Sequence, residues 1–192
     1  MNKVYVFLAD GFEEIEALTV VDMLRRVKVE TVMVSVSSRK SVTGAHGIAV
    51  EADGVFSEYN YEDGTMAVLP GGMPGTNHLM EHEGLKKVLH SYYDAKKYLA
   101  AICAAPSVLG MNGLLRGRHA TCYPGFEEKL AGAEVMPDAV VIDGTIITSR
   151  GMGTAISFGA ALVSRLLDEE TAEALLDTIQ YCSDKKSGSK NA

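Results

Sequence analysis

The sequence predicts an α/β fold, built on a mostly parallel sheet with helices on both faces. Short apolar segments alternate with helical patterns along the 192 residues, as in chains that wind around a parallel sheet. The segments at residues 4–8 and 66–69 are almost continuously apolar, which is typical of strands covered on both faces. A third apolar run stops at Cys103, two alanines follow, and Pro106 then suits the first turn of a helix.

The first strand and the helix after it are marked by a change of pattern. The apolar run at residues 4–8 ends at Asp10, and the acidic residues that follow lie where a helix N-terminus favours negative charge. Apolar side chains then recur at helical spacing, so this face of the helix should pack on the sheet. The residues of this stripe are Ile15, Leu18, Val21 and Leu24.

Three further segments lead to the middle of the chain. Residues 31–36 are rich in β-branched side chains and predict a second strand, and residues 43–50 predict a turn or a small hairpin. The buried strand at residues 66–69 ends in the glycine-rich loop 70–75. Without Cβ atoms to block a close approach, the N–H groups of this loop can face a ligand or a sulfur atom. The loop lacks the spacing of a dinucleotide-binding fingerprint, and no P-loop lysine follows, so no cofactor is predicted.

The second half of the chain continues the alternation of helices and strands. An Asp143-Gly144 pair between two apolar segments is a strong signal for a β-hairpin. The other predicted helices cover residues 85–95, 106–113, 153–167 and 168–182, with a helical turn at 126–130. The other predicted strands are one that ends at Cys103 and those at residues 119–123, 135–142 and 145–148. We expect a single domain over residues 1–182 and a polar, disordered tail at residues 183–192.

Composition and charge exclude several classes of function. The net charge of −7 and the isoelectric point near 5.2 argue against binding to nucleic acid or to an anionic membrane. No apolar segment reaches the roughly 18 residues of a membrane span, and the N-terminal run lacks the basic start of a signal peptide. The three cysteines, Cys103, Cys122 and Cys182, have unrelated spacings that indicate neither a disulfide framework nor a zinc site. We therefore expect a cytoplasmic protein.

Cys103 has two interpretations. Free cysteines are often buried and inert. At a strand-to-helix turn, however, the Cys103 sulfur would face the free N–H groups of the next helix, which together with the helix dipole stabilise a thiolate. The carboxyl ends of the strands in a doubly wound sheet are also where active sites form. The predicted turn favours the reactive interpretation.

Glu16 likewise has two interpretations. It is either a solvated acid in the first turn of a helix, as we take Glu13 and Glu14 to be, or a carboxyl that points inward at the edge of the sheet. An inward carboxyl tends to stay protonated, and it could donate a hydrogen bond to a thiolate or exchange a proton with a substrate. Spacing alone does not decide between the two. The five histidines are scattered along the chain and predict no metal site.

Motifs in four separate parts of the chain resemble those of the ThiJ/PfpI superfamily. The motifs are Glu13-Glu14-Ile15-Glu16, Leu69-Pro70-Gly71-Gly72, Ala101-Ile102-Cys103-Ala104-Ala105-Pro106 and Thr148-Ser149-Arg150-Gly151-Met152-Gly153-Thr154. The resemblance extends to about Leu176 and is greatest to the branch that contains the Parkinson's-disease-associated protein deglycase. It implies a flavodoxin-like three-layer sandwich with a nucleophile elbow, a homodimer, and a cysteine that reacts with glyoxals and is easily oxidised to a sulfinate.

The resemblance also assigns roles in the site. It makes Cys103 the nucleophile and Glu16 the carboxyl beside it, and it makes Gly72 and Ala104 the backbone donors to a developing oxyanion. The implied activity is that of a cofactor-free glyoxalase or deglycase, which acts on methylglyoxal-type 2-oxoaldehydes or their early protein adducts in stress protection. The alternative is an oxidative-stress sensor or a redox-regulated chaperone that works through oxidation of Cys103.

Several positions depart from the pattern of the superfamily. Its protease-like members carry a histidine after the cysteine, where this chain has Ala104, so no catalytic triad forms there and peptidase activity is not expected. Tyr123 and His46 stand where the deglycase branch has a histidine and an arginine. Arg26 matches an arginine near the dimer interface that reaches the partner's pocket. We predict Gly71, Tyr123, His46 and Arg26 as further pocket residues.

Two expectations concern charge and assembly. A carboxylate against a thiolate places two like charges in a medium of low dielectric constant, so we expect a protonated Glu16 beside a largely ionised Cys103 at neutral pH. The apolar stripe of the first helix is broader than one packed face needs, and the resemblance implies pairing through this region. We therefore expect Leu24 to contribute to a dimer contact.

Overall fold

The strands form one large sheet and two small ones in the computed structural model, which describes residues 2–182. The strands in this range are β1 (Lys3–Leu8), β2 (Glu30–Ser35), β3 (Ser41–Thr43), β4 (Ala49–Glu51), β5 (Gly54–Val55), β6 (Met66–Leu69), β7 (Tyr98–Ile102), β8 (His119–Ala120), β9 (Glu134–Val135), β10 (Val140–Asp143) and β11 (Ile146–Ser149). The predicted tail at residues 183–192 lies outside the described residues.

Seven of these strands form the central sheet, in the order β10-β11-β7-β6-β1-β2-β5. Every neighbouring pair is parallel except the hairpin of β10 and β11, so the sheet is mostly parallel, as predicted. In the central strand β1, successive residues from Val4 to Leu8 are at most 1% exposed. The continuous apolar pattern of this strand thus results from burial on both faces.

Helices cover both faces of the sheet. They are α1 (Glu14–Arg26), α2 (Gly75–Glu81), α3 (Glu83–Asp94), α4 (Pro106–Met111), α5 (Ala155–Leu166) and α6 (Glu169–Thr178). The apolar residues of α1, α5 and α6 pack with Val4 and Val6 in one core, and those of α2, α3 and α4 pack with Phe7 in the other. The predicted flavodoxin-like three-layer sandwich is therefore confirmed. None of the helices within residues 2–182 is long and apolar enough to cross a membrane.

Some elements differ from the sequence prediction. The helix α2 was not predicted, because only Gly75, Thr76 and Leu79 of its residues are buried and they form no helical stripe. The predicted strand at residues 135–142 is wrong in its first part, since Val135 ends the separate strand β9, residues 136–139 belong to no strand, and β10 begins only at Val140. The hairpin at Asp143-Gly144 is confirmed by the antiparallel pairing of β10 and β11.

The fold brings four loops to one edge of the sheet. Because β11, β7, β6 and β1 are parallel neighbours, their carboxyl ends lie side by side. The segments that follow these strands carry Gly151, Cys103, Gly71 and Glu16, in the same order across the sheet. Residues that are far apart in the chain can therefore meet at this edge, which is the usual location of a site in such folds.

The apolar stripe of α1 faces the protein's own core. Val21 and Leu24 are 5% and 0% exposed, and α1 packs on α5. The expectation that Leu24 contributes to a dimer contact is therefore wrong, because this side chain is already covered within the chain. Ile15, at the start of the stripe, remains 49% exposed.

Candidate active site

Cys103 occupies the turn between β7 and α4. Its backbone φ of 65° lies in the left-handed region, which is unusual for a residue other than glycine. Two hydrogen bonds hold this conformation: the Cys103 N–H donates to the Ser149 carbonyl at 2.9 Å, and the Cys103 carbonyl accepts from the Tyr123 N–H at 2.8 Å. The predicted strand-to-helix turn is therefore present, and its backbone is strained in the way that is common at functional sites.

Glu16 lies in the first turn of α1, and its side chain is buried beside Cys103. The residue is 1% exposed, and its Oε2 accepts a hydrogen bond from the Gly71 N–H at 2.8 Å. Its Oε1 is buried and makes no hydrogen bond of standard geometry within residues 2–182, although the carboxyl is close enough to the Cys103 thiol to interact with it. Of the two interpretations of Glu16, the inward one agrees with the structure.

The loop after β6 fits closely around this pair. A Cβ atom at Gly71 would lie 2.6 Å from the Cys103 Cβ and 2.8 Å from the Glu16 Oε2, so no side chain fits at this position. Gly72 has a φ of 87°, and a Cβ atom there would lie 2.3 Å from the Glu13 nitrogen. The backbone N–H groups of Gly72 and Ala104 both interact with the Cys103 sulfur. The structure thus places the two predicted backbone donors at the sulfur.

Burial determines the charge of the Glu16–Cys103 pair. It raises the pKa of the Glu16 carboxyl to about 7, against the opposing effect of the Gly71 N–H. Burial, followed by the negative charge of Glu16, raises the pKa of the Cys103 thiol to about 12, and the N–H groups of Ala104 and Gly72 only partly oppose this. The raised pKa of Glu16 has the direction expected for a carboxyl that holds a proton, whereas burial acts against the expected ionisation of Cys103.

The raised pKa of Glu16 links the stability of the fold to pH. The pKa of this carboxyl is about 7 in the folded protein and 4.5 in the unfolded chain. Between these two pH values the folded state therefore binds the proton more tightly than the unfolded state. The free energy of unfolding should therefore fall by about 3 kcal/mol as the pH rises through this range. We expect the Glu16→Gln protein to lack this loss, so its advantage over wild type in chemical denaturation should grow from about pH 5 to about pH 8. A constant difference between the two proteins would contradict this link.

Glu13 and Glu14 are buried, so the prediction that they are solvated acids is wrong. They are 8% and 2% exposed. Glu13 caps α1, since its Oε2 accepts from the Glu16 N–H at 2.7 Å. Glu14 accepts hydrogen bonds from the backbone N–H and the ring Nδ1 of His46, both at 2.8 Å. The ring of His46, which we predicted to be a pocket residue, is therefore engaged with Glu14.

The same three side chains form a compact cluster. The oxygen atoms of Glu13 and Glu14 and a ring nitrogen of His46 lie within 4.8 Å of one another, which the scattered histidines of the sequence did not predict. Helix capping by Glu13 and the hydrogen bond between Glu14 and His46 account for the arrangement. We assign no metal to it.

Tyr123 and Arg26 lie in different surroundings. Tyr123 is 51% exposed. A Cβ atom placed at Gly151 would lie 3.2 Å from the Tyr123 ring and 4.0 Å from the Cys103 Sγ, so Gly151 lies between the two side chains. Tyr123 therefore borders the pocket of the sulfur. Arg26 is exposed at the other end of α1, about 15 Å along the helix from Glu16, where its Nε contacts the Asp22 Oδ2 at 2.5 Å. Arg26 does not join the site of its own chain.

Sequence reasoning missed three contributors to this arrangement. Glu13 acts as the cap of α1, the Ser149 carbonyl holds the strained cysteine, and Gly151 lies against the wall formed by Tyr123. Glutamate is not a preferred N-cap residue, so the sequence did not mark Glu13 as the cap of α1. The contacts of Ser149 and Gly151 join distant strands, and no local pattern reveals them.

Comparison with known proteins relates this geometry to a family. The model of the DJ-1/PfpI family matches residues 2–165. Protein DJ-1 homolog B of Arabidopsis thaliana is 40% identical over 173 residues, which cover 89% of this chain and 40% of that protein. A protein of Pyrococcus abyssi named as a deglycase is 33% identical over 153 residues, which cover 79% of this chain and 91% of that protein. The chain spans about 40–45% of the length of the Arabidopsis relatives that it matches.

The solved structures agree with the sequence relatives. The structure described as oxidized Toxoplasma gondii DJ-1 superposes with a TM-score of 0.92 at 34% sequence identity. The match covers 95% of this chain and 100% of that one. The likeness therefore extends over nearly the whole chain.

Proposed function

The chain belongs to the DJ-1/PfpI family, and from this premise we propose that it is a cofactor-free, cysteine-dependent glyoxalase or deglycase of the cytoplasm. Its substrates would be methylglyoxal-type 2-oxoaldehydes or their early adducts on proteins. The observation that carries the proposal is the buried carboxyl of Glu16 beside the Cys103 thiol, whose Oε1 makes no hydrogen bond of standard geometry among residues 2–182. A nucleophile and a proton carrier in contact are what the isomerisation of a 2-oxoaldehyde needs.

The first step would form a hemithioacetal. The Cys103 sulfur attacks the aldehyde carbon, while the thiol proton passes to the carboxylate of Glu16. The electron pair of the carbonyl bond moves to its oxygen, which accepts hydrogen bonds from the N–H groups of Gly72 and Ala104. Each such donor contributes about 3 kcal/mol to transition-state stability in other enzymes. Glu16 then returns the proton to this oxygen.

The second step would move a proton between adjacent carbon atoms. Glu16 removes the hydrogen from the former aldehyde carbon as a proton, the electron pair of this bond forms a carbon–carbon double bond, and the hydroxyl proton passes to the neighbouring ketone oxygen. Glu16 then delivers its proton to the neighbouring carbon while the former aldehyde oxygen re-forms a carbonyl, which gives a 2-hydroxy thioester on Cys103. Water then attacks the thioester, the sulfur–carbon bond breaks, and the thiol recovers a proton. The sum is the addition of one water to methylglyoxal, with lactate as the product.

The test is an assay of lactate from methylglyoxal by the purified chain, in buffer without glutathione and with a metal chelator. Propionaldehyde is the matched control, because it can form a hemithioacetal but lacks the second carbonyl needed for isomerisation. We expect lactate to accumulate catalytically and propionaldehyde to remain unchanged except for reversible binding. Lactate at the level of protein-free buffer would refute the proposed activity.

A second candidate function is redox sensing through Cys103. The same N–H groups that surround the sulfur could hold the oxygens of a sulfinate, with a hydrogen bond from protonated Glu16. One structural relative was solved in a form described as oxidized. If hydrogen peroxide converts Cys103 selectively to a sulfinate while lactate formation stays at background, sensing is the better assignment.

We also propose a homodimer that forms around the start of α1. Ile15 and Ile48 are 49% and 53% exposed, and large aliphatic side chains that are exposed on neighbouring segments mark a surface that association can bury. Glu14 connects the two segments, since its Oε1 accepts hydrogen bonds from the N–H groups of His46 and Ile48. The helix and the turn between β3 and β4 thus present one surface for a second copy.

We expect Ile15→Glu to convert the dimer to a monomer without unfolding it. The substitution places a charge on the proposed contact, and burial of an unpaired charge in an interface is strongly unfavourable. Met111→Glu is the matched control, because Met111 is 59% exposed on the short helix α4. Sedimentation velocity at micromolar concentration should show dimers for wild type and Met111→Glu and monomers for Ile15→Glu. A monomeric wild-type protein would contradict the proposed assembly.

A further inference from the structure

We propose that Glu13 is a positioning residue, which sets both the place and the charge state of Glu16. The inference rests on the proposed function for its consequence in catalysis, but its structural part can be tested without any turnover. Among the described residues, no hydrogen bond joins Glu13 to the Cys103 sulfur. Its effect on the reaction would pass entirely through Glu16.

Three hydrogen bonds join Glu13, Glu16 and Gly71 in a closed ring. The Glu13 N–H donates to the Gly71 carbonyl at 2.9 Å, and the Gly71 N–H donates to the Glu16 Oε2 at 2.8 Å. The Glu16 N–H donates in turn to the Glu13 Oε2 at 2.7 Å. Each residue of the ring both donates and accepts, so the loop after β6 and the first turn of α1 cannot shift independently. The carboxyl of Glu16 is held at the sulfur by this ring.

The ring also brings a second negative charge close to Glu16. Glu13 is only 8% exposed, so its carboxylate is weakly screened by water. The titratable groups around Glu16 are Glu13 and Glu14 from α1, Cys103 from the elbow, and His46 from the turn between β3 and β4. His46 lies 2.8 Å from Glu14 but 4.0 Å from Glu13, so its charge when protonated balances Glu14 first.

A like charge near a carboxyl favours its protonated form. After burial, which is the larger cause, the charge of Glu13 contributes to the raised pKa of Glu16. The carboxylate of Glu13 therefore has two separable effects: its oxygen caps the helix, and its charge helps Glu16 to keep a proton at neutral pH.

Three variants separate the cap from the charge. Glu13→Gln keeps an oxygen that can accept from the Glu16 N–H but removes the charge. Glu13→Asp keeps the charge, and aspartate is a preferred helix cap. Glu13→Ala removes both. Asp168→Asn is the matched control, because Asp168 caps α6 in the same way: its Oδ1 accepts from the Thr171 N–H at 2.7 Å. Asp168 follows the C-terminal end of α5, whereas the site lies near the N-terminal end of that helix.

The measurement is the pH titration of the infrared band of the protonated Glu16 carboxyl, identified by its absence in Glu16→Gln. We expect Glu13→Gln to lower the midpoint of the Glu16 titration by about 0.5 to 1 pH unit. A shift of this size is comparable to the differences that environment causes among carboxyl pKa values in folded proteins. Glu13→Asp should restore the wild-type midpoint, and Asp168→Asn should leave it unchanged. An unchanged midpoint in Glu13→Gln, or an equal shift in Asp168→Asn, would overturn the role of the charge.

Turnover supplies the second readout. Under the proposed function, the acid limb of the pH profile of kcat/KM for methylglyoxal should shift downward with the infrared midpoint in Glu13→Gln. In Glu13→Ala, kcat should in addition fall about tenfold or more, because small misplacements of a catalytic group reduce rates strongly. Full kcat in Glu13→Ala would overturn the positioning role. If no variant, wild type included, forms lactate, the proposed function fails, while the infrared midpoints still decide the inference about Glu13.

Discussion

Replacing Cys103 by serine is expected to reduce lactate formation from methylglyoxal by about 10⁴-fold or more, as the loss of a nucleophile does in other enzymes. Serine preserves the shape of the elbow, but its hydroxyl is far less acidic than a thiol. Glu16, whose pKa is about 7, already faces a thiol with a raised pKa and would be too weak a base for an alcohol. The carbon–sulfur bond on which both proposed steps depend could not form.

The control for Cys103→Ser is Cys182→Ser, which removes an exposed thiol near the end of the described residues. Its lactate formation should equal that of wild type. Circular dichroism and thermal unfolding should show that both variants retain the fold. If Cys103→Ser forms lactate within tenfold of the wild-type rate, Cys103 is not the nucleophile and the proposed mechanism is wrong.

Glu16→Gln is expected to lower lactate formation by roughly 10²- to 10⁴-fold, the usual contribution of general acid–base catalysis. Glutamine fills the same space, but it can neither take the thiol proton nor carry a proton between the two carbons. Reversible addition of the Cys103 thiol to methylglyoxal should still occur, because thiols add to aldehydes without a catalyst. Rapid quenching and mass spectrometry should therefore detect a hemithioacetal that forms but does not proceed to product.

The matched control for Glu16→Gln is Glu83→Gln, which makes the same chemical change at an exposed position at the start of α3. It should have wild-type activity. A wild-type rate in Glu16→Gln would exclude the proton transfer that we propose, and it would favour the redox-sensor assignment, in which Glu16 only hydrogen-bonds an oxidised sulfur.

The parallel sheet was predictable because burial on both faces leaves a direct record in the sequence. The continuous apolar runs of β1 and β6, and the Asp143-Gly144 turn, identify their elements locally. The elbow at Cys103 was also predictable, since Pro106 marks the start of a helix immediately after a strand. Where local pattern and tertiary environment agree, the residues alone are sufficient.

The environment of the acidic residues was not predictable in the same way. Glu14 is buried by a turn that lies 32 positions further along the chain, and Glu16 contacts Gly71 at a separation of 55 positions. Neither distance leaves a periodic signal. The effect of burial on Cys103 was not predictable for a related reason: a helix N-terminus favours a thiolate, burial raises the pKa of the thiol, and burial depends on the completed fold.

The arrangement of four parallel strand ends also has a consequence for how chemistry can arise and change in this protein. No continuous segment contains the site: Glu16, Gly71, Cys103 and Gly151 follow four different strands. A fragment lacking any one of these strands would lose the constellation, so the site exists only in the cooperatively folded domain. Conversely, each loop can acquire or lose a group while the buried strands keep their packing. Substrate preference can thus diverge one loop at a time, at constant architecture.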